Sequence, residues 1–194
     1  MELLLSDIAT VRAGYAFRSG VQHDPSGDLA VLQGRDVDAS ALYVTPSPEG
    51  WSLIQSSDIR SAAEHVIVKG DVLLMARGAR NYAVVVDEDL PYPTLAVSSF
   101  HVLKANRARV VPVFLAWLLN QESSQSHFRA NNTGTTIPMV NLDMLKALPL
   151  KLPPLPQQLQ IAAIIRLSHY ERQLMNELAD QRQLLLRAWA AENA

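Results

Sequence analysis

The sequence predicts an α+β fold: a body built on a mixed β-sheet with flanking helices, followed by a long C-terminal coiled-coil helix. Three observations predict it. Residues 65–104 are rich in β-branched and aromatic side chains punctuated by turn residues, a composition that favours a sheet. Residues 157–194 contain neither Gly nor Pro, and apolar residues recur there at helical spacing. Between the two, Pro149, Pro153, Pro154 and Pro156 each lack a backbone donor and push the preceding residue out of helical space.

Taken in order, Ser6 and Asp7 with Leu3, Leu5, Ile8 and Val11 predict a short capped entry helix that ends before Gly14. The segment Gly14-Tyr15-Ala16-Phe17-Arg18-Ser19-Gly20 is a glycine-bounded loop, and His23 to Asp28 is turn chemistry. Leu29 to Gln33 predicts a buried strand. Residues 38–58, rich in Ser, Pro and Asp, predict surface loops with at most one short strand. Strands follow at His65–Lys69, Val72–Ala76, Tyr82–Asp87 and Leu95–Lys104, with a turn at Gly70-Asp71.

Pro112 suits the first turn of a helix running to about Ala130, with Phe114, Trp117, Leu118 and Phe128 facing the core. Asn141 caps a short helix from Leu142 to Ala147, which Pro149 stops. Leu150 to Leu155 is then extended and stiff, its leucines lying along the body. The helix from Gln157 is a rod of about 50 Å at ~1.5 Å per residue. Its stripe of Leu167, Tyr170, Leu174, Leu178, Gln181, Leu185 and Ala188 needs a covering surface. Either a second copy of the helix covers it, or the arm folds back on its own body.

The chain of 194 residues is long enough for one domain with a substantial core plus an appendage. It has no Cys, which excludes disulfides and thiolate metal sites and is compatible with a reducing cytoplasm. MELLLSDIATVR does not read as a signal peptide, and no uncharged apolar run reaches ~18 residues. A soluble, cytoplasmic protein is expected.

The net charge of −2 is unevenly distributed. Residues 19–59 carry six acidic groups against one basic, while residues 100–151 carry six basic against two acidic. If folding gathers the basic blocks on one side, an acidic chain can still present an electropositive face; otherwise the charges form a mixed solvated surface.

Four segments have the residue types that contact duplex DNA. Arg77, Arg80 and Asn81 sit in a Gly-containing turn after an apolar strand. Arg pairs bidentately with guanine and Asn with adenine, although any polar hairpin has similar content. Tyr15, Arg18 and Ser19 combine an aromatic ring with a phosphate-binding cation, but Tyr15 and Phe17 also fit a core role. Thr133, Thr135 and Thr136 flank Gly134 in a hydroxyl-rich loop that is equally ordinary helix-exit chemistry. Arg35, after Gly34, is a weaker candidate.

Catalysis finds little support. The chain has no Gly-rich phosphate loop and no HExxH, its five histidines are scattered, and Asp36/Asp38 and Asp87-Glu88-Asp89 read as solvated acidic loops before cation sites. No catalytic residue, cofactor or metal is assigned.

The joint LPLKLPPLPQQLQIAAII, Leu148 to Ile165, resembles the segment that leads into the spacer helix in DNA specificity subunits of type I restriction-modification systems. Lys69 to Gly78 (KGDVLLMARG) and Leu3 to Ser19 (LLLSDIATVRAGYAFRS) resemble the centre and start of that family's target recognition domain. The resemblance spans nearly the whole chain. Members usually carry two recognition domains and two spacer helices, whereas one of each is expected here: residues 1–156 as the recognition domain and residues 157–194 as the arm.

The resemblance implies a non-enzymatic specificity half-subunit that binds double-stranded DNA and dimerises antiparallel through its arm. It also implies docking of methyltransferase subunits, with a translocating restriction subunit in complete systems. Two recognition domains a fixed rod apart would read an interrupted site, palindromic for a homodimer. The competing readings are a protein-interaction adaptor that dimerises through the coiled arm without DNA recognition, and an enzyme with hidden acidic metal ligands.

Overall fold

The computed structural model describes residues 2–45, 50–78, 80–131 and 139–192. The chain opens with β1 (Glu2–Leu4), a 3-10 turn at Leu5–Asp7, and β2 (Ala9–Ala13). The expected entry helix is therefore a single turn, closed by the Asp7 carboxylate, which accepts from the Leu4 amide at 2.8 Å. Residues 9–13 instead pair antiparallel with a later strand, a tertiary contact that overrides the local helical pattern.

Next come β3 (Leu29–Leu32), β4 (Ser52–Ile54), the single-turn α1 (Ala62–His65), β5 (Val66–Ile67), β6 (Asp71–Met75) and β7 (Ala83–Val85). The strand expected from Leu95 to Lys104 is two strands, β8 (Thr94–Ala96) and β9 (Phe100–Ala105), split by a turn at residues 97–99. They belong to different sheets. One sheet has the order β2-β9-β6-β7 and the other β4-β3-β8-β5.

The helix expected from Pro112 to Ala130 is also broken, into α2 (Pro112–Leu119) and α3 (Glu122–Asn131). The reason is Asn120. Its side chain donates to the Ala83 carbonyl at 2.7 Å and accepts from the Ala83 amide at 2.8 Å, acting as a one-residue strand partner for β7. α4 (Leu142–Lys146) starts as expected, with Asn141 accepting from the Met144 amide at 2.8 Å.

β10 (Pro149–Lys151) then pairs antiparallel with β1, so the two ends of the body close on each other. α5 (Leu155–Glu192) follows. It begins two residues earlier than expected, because Pro156 falls in the first turn, where a missing N–H has no intrahelical partner to lose.

The body has three layers. The β2-β9-β6-β7 sheet is in the middle, and β6 is buried at every position because both its faces are covered. Val72, Leu74, Ala83, Val85 and Leu103 face a core shared with the helices, among them Phe114, Leu115, Leu119, Phe128 and Leu145. The alternate residues Leu73, Met75, Val84, Phe100 and Val102 face the second sheet, where Leu32, Trp51, Ile67 and Ala96 meet them. Two strand faces serving two cores follow from the period-two alternation of side chains. Residues 38–58 contribute Tyr43, Val44 and Trp51 to the interior, so this stretch is less superficial than its composition predicts.

The root of α5 is part of the helix-side core. Ala162 and Gln158 are buried and Ile161 and Ile165 pack at the core's edge. The buried Gln158 amide donates to the carbonyls of Arg109 and Pro153 at 3.0 and 2.9 Å, and its oxygen accepts from Val111 at 3.0 Å. Beyond Tyr170 every described side chain is exposed.

Candidate nucleic-acid interface

Three of the sequence-selected segments converge on one rim of the body, at the turn between β8 and β9. Gly14 donates to the Phe100 carbonyl at 2.8 Å, and Tyr15 to the Ala96 carbonyl at 2.7 Å. The Val97 amide donates to the Leu32 carbonyl at 3.1 Å, which brings the Gly34-Arg35 turn alongside. The Ser99 carbonyl accepts from both Ala76 and Arg77, at 2.7 and 3.3 Å, and the Val140 amide donates to the Ala76 carbonyl at 2.9 Å. Residues distant in sequence are thereby hung on one backbone corner.

Gly14 is required there. A Cβ at this position would stand 2.2 Å from the Val97 carbonyl oxygen, so no side chain fits between the two backbones.

The side chains differ in how free they are. Arg77 and Arg80 are exposed, and among the described residues neither enters an ion pair; the Arg77 guanidinium lies 3.4 Å from the Met139 sulfur. Arg18 and Ser19 are exposed beyond the half-buried Tyr15 and Phe17, whose rings meet edge-on at 4.9 Å. Tyr15 also meets His65 at 5.2 Å, so the aromatic pair is packed as much as presented.

Arg35 is exposed but held, donating to the Ser52 hydroxyl at 3.2 Å with Asp36 at 3.6 Å. The Asn81 amide nitrogen is spent inside the hairpin on the Met75 carbonyl at 2.9 Å. Thr133, Thr135 and Thr136 lie outside the described residues.

The basic blocks are not gathered on one face. β6 runs from Asp71 to Met75, so Arg77 and Arg80 are at one end of the sheet while Lys69, Lys104 and Arg107 cluster at the other. That second cluster surrounds the buried Asp71, whose carboxyl burial pushes above the ordinary carboxylate range against the pull of Lys104, Arg12 and Arg107. Gly70 makes the turn there with φ +96°, and the Arg107 guanidinium fills the space beside it.

Among the described residues no group of three His, Asp or Glu side chains could hold a metal ion. The Asp87 carboxylate is engaged by Arg166, and that of Asp38 by the Ser40 amide and hydroxyl.

Reading the sequence alone missed the hub itself, residues 97–99, and its neighbour Met139. The Ser98-Ser99 pair interrupting an apolar run was the available signal. It also missed a cleft of about 1060 Å³ between the body and the root of α5, lined by Tyr43, Arg80, Trp117, Arg129, His169 and Arg172.

On α5, Leu167 lies two residues from both Ile165 and His169, which is roughly 200° around the helix at 3.6 residues per turn. The stripe of Leu167, Tyr170, Leu174, Leu178, Gln181, Leu185 and Ala188 therefore faces away from the body, and all seven are exposed, Leu185 by 70%. The arm does not fold back to cover them. No described helix is long and apolar enough to cross a membrane.

Residues 2–181 match the family model described as the type I restriction modification DNA specificity domain. No curated protein sequence matches the chain. Solved structures with the same fold include the HsdS subunit from Thermoanaerobacter tengcongensis, at 22% identity and TM-score 0.61, covering 95% of this chain and 44% of that one. A chain from a structure described as showing complex assembly and conformational transition of the type I R-M system matches at 21% identity and TM-score 0.60, covering 97% and 45%. The type I restriction-modification S subunit from M. genitalium matches at 16% identity and TM-score 0.57, covering 91% and 40%. The chain spans less than half the length of each of these relatives.

Proposed function

The chain belongs to the type I restriction modification DNA specificity family, and on that premise we propose that its rim reads one half of an interrupted duplex-DNA target. Residues 1–156 are the recognition domain and residues 157–194 the arm. The observation that carries this reading is the convergence of the Tyr15, Arg35 and Arg77 segments on the Val97–Ser99 corner, with Arg18, Arg77 and Arg80 exposed around it.

Arg77 and Arg80 are exposed in the segment that joins β6 to β7, and in the major groove a guanidinium can engage guanine bidentately. Arg18 and Ser19 flank them as phosphate contacts that set register. Asn81, whose amide nitrogen donates to the Met75 and Ala76 carbonyls at 2.9 and 3.4 Å, supports the turn and retains its oxygen for a base. Arg35 and the threonines Thr133, Thr135 and Thr136 complete the proposed contact set.

The outward stripe from Leu167 to Ala188 supports pairing with a second arm, antiparallel, so that two heads read two half-sites separated by unread base pairs. As a specificity domain the chain selects sequence and leaves chemistry to other subunits. Methyltransferase subunits, and a restriction subunit in a complete system, are the proposed cytoplasmic partners.

Selection from random duplexes with the reconstituted complex should recover an interrupted inverted repeat. Arg18→Ala should flatten the dependence of log affinity on log salt by about 1, the share of one phosphate contact. Recovery of no motif, or an affinity indifferent to salt, would favour an adaptor that dimerises through its arm without reading DNA.

A further inference from the structure

Core packing holds α5 only at its root, and a proline joint precedes that root. Pro153 and Pro154 immediately precede the helix, Ala162 is its last fully buried residue, and Ile165 the last apolar residue packed on the core. A rod held so close to one end would pivot. Three further contacts, each one turn beyond the previous one, oppose that motion.

Arg166 grips Asp87 bidentately, Nε to Oδ2 at 3.1 Å and Nη2 to Oδ1 at 2.9 Å, across 79 residues of sequence. His169 lies on the ring of Tyr43 at 4.4 Å. Arg172 donates to the Ser40 carbonyl at 3.4 Å. Residues 166, 169 and 172 fall on the body-facing side of the helix, opposite the outward stripe.

The surface they grip is part of the central sheet. Asp87 directly follows β7 and the buried Val86. The Leu42–Val44 segment bonds to the same strand, with Val85 donating to the Leu42 carbonyl at 2.8 Å and Val44 to the Val85 carbonyl at 3.0 Å. β7 also carries the Arg77–Asn81 turn at its other end, so the arm is fastened to the strand that presents the proposed reading turn.

We infer that the Asp87–Arg166 pair, with Tyr43–His169 and Ser40–Arg172 beside it, is a latch that sets the bearing of the arm on the reading head. In the assembled dimer it thereby sets the number of unread base pairs between half-sites. The second part rests on the DNA-reading function proposed above; the first does not.

The lever arm is long enough to matter. From Arg172 to Glu192 the helix extends about 30 Å at ~1.5 Å per residue. A tilt of roughly 10° about the root moves its tip by about 5 Å, more than the ~3.4 Å rise of one base pair. Arg166 and Asp87 are thus positioning residues, which touch no DNA yet select spacing.

The chain has no native cysteine, so spin labels at Ser57→Cys and Gln183→Cys report the head-to-arm distance without interference. The labelled full-length chain is diluted with excess unlabelled chain so that only distances within one chain are read. The parent should give one narrow distribution. Asp87→Lys should broaden it, and combining Asp87→Lys with Arg166→Glu should narrow it again. Arg166→Gln, at a half-exposed position, should broaden it without threatening the fold.

A distribution unchanged in both single variants overturns the latch. So does a broadening that the exchanged pair fails to reverse, because that is general loosening. In random-duplex selection with the complete complex, Asp87→Lys should recover the parent's half-site at two or more spacer lengths where the parent recovers one. A single spacing in the variant overturns the link to DNA. A parent that yields no half-site at all counts against the DNA-reading function, and the distance measurement still decides the latch.

Discussion

Replacing Asn120 by Ala tests whether one side chain holds the strand beneath the proposed reading turn. Ala83 is fully buried, and both its backbone groups are satisfied by the Asn120 amide, at 2.7 and 2.8 Å. Truncation removes both partners at once. An unsatisfied buried backbone group costs about 1–3 kcal/mol, so two give roughly 2–6 kcal/mol before any water enters the gap.

That is a large part of the roughly 5–15 kcal/mol that stabilises an ordinary domain. Urea unfolding followed by tryptophan fluorescence should show a lower midpoint with an unchanged m-value, since the surface exposed on unfolding is the same. Asn120→Asp should cost at least as much: it keeps the acceptor for the Ala83 amide but points a carboxylate oxygen at the Ala83 carbonyl. A loss below about 0.5 kcal/mol for Asn120→Ala, the range of ordinary surface substitutions, would refute the view that this contact closes the edge of β7.

Gly14→Ala should destabilise by more than about 2 kcal/mol, as overpacking against rigid backbone does, and thermal melting by circular dichroism would read it; a wild-type Tm would mean the Gly14–Val97 approach is looser than described. His101 is buried, donates from Nε2 to the Val140 carbonyl at 2.6 Å, and is held below its usual pKa mainly by that burial. Its unfolded form then binds more protons than its folded form, so stability rises with pH; the His101 contribution is complete above about pH 6.5 and declines as pH falls through the lowered value. Urea midpoints at neutral and mildly acidic pH should differ in that sense, and His101→Gln should reduce the difference. Leu174→Glu with Leu178→Glu changes two side chains exposed by 64% and 52%; light scattering should report loss of self-association with the body's melting unchanged, whereas a dimer that persists would exclude this stripe as its seam.

How much was legible depends on the range of the interaction. The proline joint, the long arm, the Asn141 cap and most strands were readable because each is a local matter of dihedral freedom, capping or periodicity. The entry segment was misread because five residues of modest β character became a strand only on meeting β9. The long helix after Pro112 was misread because its break is driven by a hydrogen-bonding need 37 residues away, at Ala83. Within the candidate site, the residue types in the turns were visible, but the partners that hold Arg35 or spend the Asn81 amide were not.

By itself the sequence determined the composition of the arm and its apolar stripe, the stiffness of the joint and the residue types available for contact with DNA. All of these follow from the chemistry of single residues and their nearest neighbours along the chain. Only the tertiary structure decided that the turn at Val97–Ser99 gathers Tyr15, Arg35 and Arg77 onto one rim, and that the stripe of α5 faces away from the body. It alone paired Arg166 with Asp87. Those outcomes come from satisfying buried backbone groups and packing two faces of one sheet at once, conditions that no local window of sequence contains.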